Sequence, residues 1–271
     1  MIMKEKIMVL GGDKRSYYVA KELYEKGYAV SWYACENYPC EPCGFVSKED
    51  FRADAHKFDT VILPLPHTRD FRHLNTPFSN SKIDLDELSE LAKGKRTFSS
   101  VDMGDNYFSA NEVVIANARL TAVGLLKEML IYTEKDVMNR SVMVTGFGNV
   151  GKAVAKILDN NGMRVTVCAR NKEQRVLAGI YGYNTCDIAE GGKNMGEYDF
   201  VVNTVPAVLF SEESLRKAKK YCVFMELAKG LAAETCSNTA SYISCKGMPG
   251  KHTPQSAGKV IADYISEKLK E

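Results

Sequence analysis

The stretch VMVTGFGNVGKAVAKILDNNGMRVTVCARN, residues 142–171, decides the fold class. A β-branched run leads into GFGNVG, which places Gly146, Gly148 and Gly151 at G-x-G-x-x-G spacing. An amphipathic segment and a second β-branched run, RVTVC, follow. Strand, glycine turn, helix and strand in this order are the context that makes three glycines a dinucleotide fingerprint. Gly146 allows the tight turn, Gly148 lets the backbone approach a pyrophosphate, and Gly151 lets the helix pack closely on the strand. The backbone of Phe147, Asn149 and Val150 completes the helix start, whose free N–H groups face the phosphates.

The end of the second strand bears on the cofactor. An NAD-selective site places Asp or Glu there to accept from the ribose 2′-OH. This chain has Ala169 and Arg170, followed by Asn171 and Lys172. No acid stands there to repel a 2′-phosphate, and a guanidinium can form charge-assisted bonds to one. NADP is therefore expected ahead of NAD; if Arg170 only stacks, either cofactor fits. Downstream, NTVP ends a strand whose loop is expected to face the cofactor through Asn203, Thr204, Val205 and Pro206. Glu226 in MELAKG ends the next strand, where it would orient a substrate or pair with a lysine.

The fingerprint starts late, and the residues before it have their own α/β rhythm. KIMVLGG (6–12), YAVSWYA (28–34), TVILPLP (60–66) and RTFSS (96–100) read as strands. SYYVAKELYEKG (16–27) and KIDLDELSELAKGK (82–95) read as helices. NARLTAVGLLKEMLIYTEKDVMN (117–139) predicts a long helix crossing between domains. Thr253 and Pro254 start a last amphipathic helix, whose apolar face either completes the cofactor domain or returns to the first one.

Composition excludes other classes. Among 271 residues, 36 are basic and 34 acidic, a net charge of +2 that points to neither nucleic acid nor membrane. No apolar run has transmembrane length, and MIMKEKIMVLGGD lacks the features of a signal peptide, so a cytoplasmic protein is expected. Most of the eight cysteines lie in apolar strand-like runs and read as buried thiols. CEPC (40–43) is the one close pair, and with no second C-x-x-C it does not make a zinc site; no metal is expected.

Candidate chemistry in the first half centres on GGDKR. Arg15 has the planar fork for a carboxylate, Asp13 could orient it or a ring nitrogen, and Gly12 permits close ligand approach. His67 follows LPLP at a strand's carboxyl end, and His252 precedes the last helix; either imidazole can take a proton near neutral pH. Lys251 suits an anion clamp better than a base.

The ordered set VLGGDKR (9–15), LPLP (63–66), NTPFSN (75–80), NARLTAVG (117–124), TGFGNVGKAVAKIL (145–158), VCAR (167–170), NTVP (203–206) and KGMPGKHTPQSAG (246–258) resembles the A-subunit family of dipicolinate synthase over nearly the whole length. The resemblance implies NADP-dependent oxidation of a dihydrodipicolinate-type dicarboxylate to dipicolinate in a sporulating cell. It also implies that the partner is a flavoprotein-like B subunit, and a homo-oligomer stays open. Arg69, Ser79, Asn80, Asn117 and Thr121 are then expected beside the substrate. The implied fold is α/β: two Rossmann-like parallel-sheet domains joined by crossing helices, with a cleft between them. Residues 1–118 with 254–271 would form the substrate domain. Residues 119–253 would form the NADP domain, with 119–139 as the crossing helix. Leu120 and Val123 stand where the family pattern has Pro and Glu, KGLAAETC follows ELA in place of PGG and an acid, and His252 and Thr253 depart from the pattern before the last helix. Two alternatives share the fingerprint: an NAD(P) dehydrogenase of another hydroxy, keto or amino acid, and a non-catalytic nucleotide-binding subunit.

Overall fold

Side-chain alternation along β1 (Lys6–Leu10) sorts residues onto two faces. Ile7 and Val9 enter one core, while Met8 and Leu10 enter another. The computed structural model describes residues 5–39, 43–47, 50–133, 136–230 and 241–271. The chain divides into two units, Met1–Asn117 with Thr253–Glu271, and Ala118–His252. Cys40 of the CEPC pair and Cys236 lie outside the described residues. Among the described residues, no helix is long and apolar enough to cross a membrane.

In the first unit β1 is joined by β2 (Ala29–Tyr33), β3 (Thr60–Ile62), β4 (Arg96–Ser99) and the two-residue β5 (Asp105–Asn106). The sheet is parallel throughout, in the order β2-β1-β3-β4-β5. Strand order reverses between β1 and β3, so the loops after those two strands flank a topological switch point, where open α/β sheets bind ligands. Helix α1 (Lys14–Glu25) follows β1 and starts earlier than its apolar periodicity shows, because Asp13 caps it by accepting from the Arg15 amide at 3.0 Å. A short helix α2 (Phe51–Asp54) precedes β3, and α3 (Leu85–Ala92) is shorter than the expected 82–95. Asp84 is its N-cap residue, with extended backbone and no side-chain capping bond, and Ile83 is spent in the second core.

The expected crossing helix is α4, but it runs over Asn111–Thr133, earlier than 117–139 at both ends. Its first turns serve the first unit, where Val113 is buried, and the later turns bury Leu125 and Met129 in the second. No single apolar stripe spans two cores, so its start was hidden. At the far end Asn139 has φ +61, a left-handed conformation that Asn tolerates and a continuing helix does not.

The second unit holds β6 (Ser141–Thr145), α5 (Asn149–Asn160), β7 (Arg164–Cys168), α6 (Lys172–Ile180), β8 (Asn184–Cys186) and α7 (Ile188–Lys193). Then come β9 (Phe200–Asn203), α8 (Glu212–Arg216), β10 (Val223–Glu226), β11 (Ser241–Ser244) and the short α9 (Met248–His252). Six parallel strands lie in the order β11-β10-β9-β6-β7-β8. That is the doubly wound dinucleotide order, with its switch point between β6 and β9. Val142, Val144, Val165, Val167 and Val202 face one core, and Met143, Cys168, Val201 and Phe224 the other. Both faces are covered, as a parallel sheet requires.

The last helix, α10 (Pro254–Lys268), belongs to the first unit. Ile261, Ala262 and Ile265 join Val19, Ala20 and Leu23 of α1 in one core. The helices approach so closely at Gly258 that a Cβ there would sit 2.6 Å from Tyr18 Cβ and 2.8 Å from the Arg15 carbonyl. Thr253 is the N-cap residue and Pro254 opens the first turn, but the Thr253 side chain does not make the capping hydrogen bond.

Candidate functional site

The three fingerprint glycines have three different environments. Gly146 has φ +76, and a Cβ on it would meet Val205 at 2.6 Å. Gly151 lies against the Gly146 carbonyl, which a Cβ would meet at 2.4 Å. Around Gly148 a Cβ would find nothing within 4 Å. The turn and the helix packing therefore need glycine locally, whereas the space at Gly148 is open to a ligand. Gly148 is the N-cap of α5 and supplies no side chain, so the first amides of the helix keep their donors for something else.

That space is a cavity of about 560 Å³ at the carboxyl ends of β6, β7 and β9. Its walls are Gly146–Gly151, Cys168–Asn171, Gln174, Ile188 and Thr204–Leu209. Among the described residues Arg170 is the one charged residue in these walls, and no carboxylate lines the cavity. Arg175, unremarked in the sequence, donates from Nη1 to the carbonyls of Ala169 at 2.6 Å and Arg170 at 2.8 Å, which fixes the backbone that presents Arg170. Asn171 caps α6, accepting from the amides of Glu173 and Gln174. Gln174 is a second residue missed in the sequence: its Oε1 accepts from the Phe147 amide at 3.2 Å and ties α6 to the glycine turn. Its position three residues after Asn171 is a capping-box spacing, a legible signal. Lys172 is exposed and lies outside the cavity walls.

NTVP divides into two roles. Thr204, Val205 and Pro206 line the cavity, but Asn203 is 1% exposed and does not. Asn203 accepts from Thr145 Oγ1 at 2.6 Å and donates to Glu226 Oε1 at 2.7 Å and the Val205 carbonyl at 3.0 Å. It shapes the turn from below. Glu226, expected to orient a substrate or pair with a lysine, is also 1% exposed and braces Asn203. A carboxylate in a buried hydrogen-bonded network has no surface left for a ligand.

At the first unit's switch point Arg15 is buried, and two of its three guanidinium nitrogens are engaged. Nε and Nη2 grip Asp13 at 3.0 and 2.8 Å, and Nη2 also donates to the Leu65 carbonyl. The bidentate Nε–Nη2 edge expected for a ligand carboxylate is taken by Asp13 in this structure. Gly12 has φ +91, and a Cβ on it would meet Ser16 Oγ at 1.9 Å, so the Ser16 side chain takes the place of one. His67 is buried with both ring nitrogens unpartnered among the described residues, and burial lowers its pKa, favouring the neutral imidazole. Ser79 Oγ and the Asn80 amide both donate to Glu36, at 2.8 and 2.9 Å, while Arg69 Nε donates to Asn75 Oδ1 at 3.0 Å. Asn117 and Thr121 lie four residues apart on α4, both half-buried.

Within the second unit Lys251 and His252 share one partner, Glu128 of α4, which the sequence did not single out. Lys251 Nζ lies 2.8 Å from both carboxylate oxygens, and His252 Nε2 lies 2.5 Å from Oε2. Lys251 first, then His252, hold the Glu128 carboxyl below its usual range. The expected anion clamp at Lys251 is therefore occupied by an internal carboxylate. The contact orients His252: if Nε2 donates to Glu128, Nδ1 keeps the lone pair.

Residues 6–102 match the family formed by the N-terminal domain of the dipicolinate synthase A subunit, and residues 111–236 match "D-isomer specific 2-hydroxyacid dehydrogenase, NAD binding domain". The A subunit of dipicolinate synthase from Bacillus subtilis strain 168 is 22% identical over 100% of this chain and 98% of its own. The chain resembles the dipicolinate synthase A-subunit family from end to end. A crystal structure of the dipicolinate synthase A subunit from Bacillus halodurans has a TM-score of 0.85 at 21% identity, covering 100% of this chain and 99% of that one. A glyoxylate reductase from Thermococcus kodakarensis is 30% identical over only 37% of the chain and 30% of its own length. The dehydrogenase-type domain supports a nicotinamide cofactor, and its match includes every wall residue of the 560 Å³ cavity.

Proposed function

We propose that the chain is the A subunit of a dipicolinate synthase, oxidising a dihydrodipicolinate-type precursor to dipicolinate with NADP during sporulation. The observation that carries the cofactor assignment is the 560 Å³ cavity whose only charged wall residue, among the described residues, is Arg170. An adenosine ribose at the β7 end meets a guanidinium and no carboxylate, the electrostatics of a 2′-phosphate site. A bound nicotinamide would supply the hydride acceptor for the saturated ring carbon, with a ring proton passing to a base as the ring becomes aromatic. The chain's own residues hold the dinucleotide phosphates on the α5 amides and fix the NTVP turn through Asn203. His252, oriented by Glu128, is the residue best prepared to accept the ring proton. A flavoprotein-like B subunit is the proposed partner.

The test is NADPH formation from the lysine-pathway precursor, with and without a B-type subunit. Pyridine-dicarboxylate absorbance should rise in step with NADPH. Tight NADP binding with no product under either condition would overturn the reading. Turnover of glyoxylate or another 2-oxo acid instead would favour the hydroxyacid dehydrogenase alternative.

A further inference from the structure

A second cavity, of about 540 Å³, lies wholly within the first unit and is built by the segment from Arg69 to Lys82. Backbone pairing makes that segment a short antiparallel ribbon, with Thr68 opposite Leu74 and His73 opposite Asp84. Asn75 anchors it at the switch point: its amide donates to the His67 carbonyl at 2.9 Å, and its carbonyl accepts from Gly12 at 2.8 Å.

We propose that this cavity is a carboxylate subsite in which Arg69, Asn75 and Lys82 are the donors. Three observations carry it. First, Asn75 is 5% exposed, lines the cavity, and leaves Nδ2 with no hydrogen-bond partner among the described residues. Arg69 Nε holds Oδ1 at 3.0 Å, so the amide cannot flip to hide the deficit. A buried donor left unmade costs more than a typical hydrogen bond contributes, so such a group marks a place for an acceptor. Second, the wall cations Arg69 and Lys82 have no carboxylate partner among the described residues. Third, the nearby acids are spent. Asp70 accepts from the Arg72 and His73 amides and pairs with His73 Nδ1 at 2.7 Å, while Asp84 faces Arg72 and His73. The wall thus holds a guanidinium, an ammonium and an unpaired amide donor beside one carboxylate, Asp70, whose oxygens are already engaged, and the Thr76, Ser79 and Ser81 hydroxyls, a set that favours an anion over a cation.

The identity of the anion rests on the synthase reading, which supplies a ring with two carboxylates. The experiment separates the two claims. Pyridine-2-carboxylate, pyridine-2,6-dicarboxylate and inorganic phosphate are titrated calorimetrically into the full-length protein and into Lys82→Ala and Arg69→Gln. Both replacements are at exposed positions, and a melting curve checks that each variant folds. Asn75→Leu is the third variant. The expected result is binding of both pyridine carboxylates, weakened about tenfold by each of the two cation replacements. Loss of that binding in the variants supports the subsite even where no NADPH forms, an outcome that sinks only the synthase reading. NADPH formation with unchanged KM in Lys82→Ala and Arg69→Gln overturns the subsite and leaves the synthase standing. Phosphate binding that follows the variants while neither pyridine carboxylate binds overturns the carboxylate assignment.

Discussion

The turns after β1 and β6 occupy equivalent places in their sheets, each strand–glycine–helix at a switch point, yet they are finished in opposite ways. After β6, Gly148 caps α5 with no side chain and with open space around it. After β1, Asp13 caps α1 with a carboxylate, Arg15 clamps that carboxylate, and Ser16 fills the space above Gly12. One helix start is left bare; the other contains its own anion. The same topology thus yields an open glycine turn in one unit and a self-neutralised turn in the other. The difference lies in two or three residues at the cap.

Breaking the closed turn should have the largest effect. Asp13→Ala removes a cap and strands a buried guanidinium, so urea unfolding should show a loss of about 3 kcal/mol. Full stability in that variant would mean the clamp is idle. Converting the open turn to the closed type comes next. Gly148→Asp places a carboxylate where the pyrophosphate must approach, and dinucleotide affinity should fall about 100-fold. Its melting temperature should hold or rise, because Asp is a better N-cap than Gly. Arg170→Asp should weaken NADP about 10-fold or more and NAD less, measured by fluorescence titration; equal losses would argue against a 2′-phosphate contact. The smallest effect concerns His67. Its folded pKa is lowered by burial, so the unfolded chain binds the extra proton, and stability should fall as pH drops below the ordinary histidine value of 6.5. His67→Leu should flatten that acid slope, and an unchanged slope would assign it to other groups.

The strands were legible because period-two alternation is local: Val142, Met143 and Val144 declare two buried faces by themselves. The glycine cradle was legible for a similar reason, since its three roles are written within six consecutive residues. What could not be read depends on partners far apart in sequence. Glu128 meets His252 across 124 positions, and Glu226 is consumed by Asn203 from a neighbouring strand. Arg15 looked like a ligand clamp because its type suits one; only the fold shows that Asp13 and Leu65 already occupy the fork. The start of α4 was obscured because Val113 and Leu125 answer to different cores.

The packing of Ile261, Ala262 and Ile265 against α1 has a consequence for synthesis on the ribosome. The second unit, Ala118–His252, has all of its sheet and core once residue 252 has emerged. The first unit was begun much earlier, but it lacks one wall until the last helix is out. Birth order and completion order are therefore reversed: the half made first finishes last, and α1 waits with part of its apolar surface uncovered while the second unit closes.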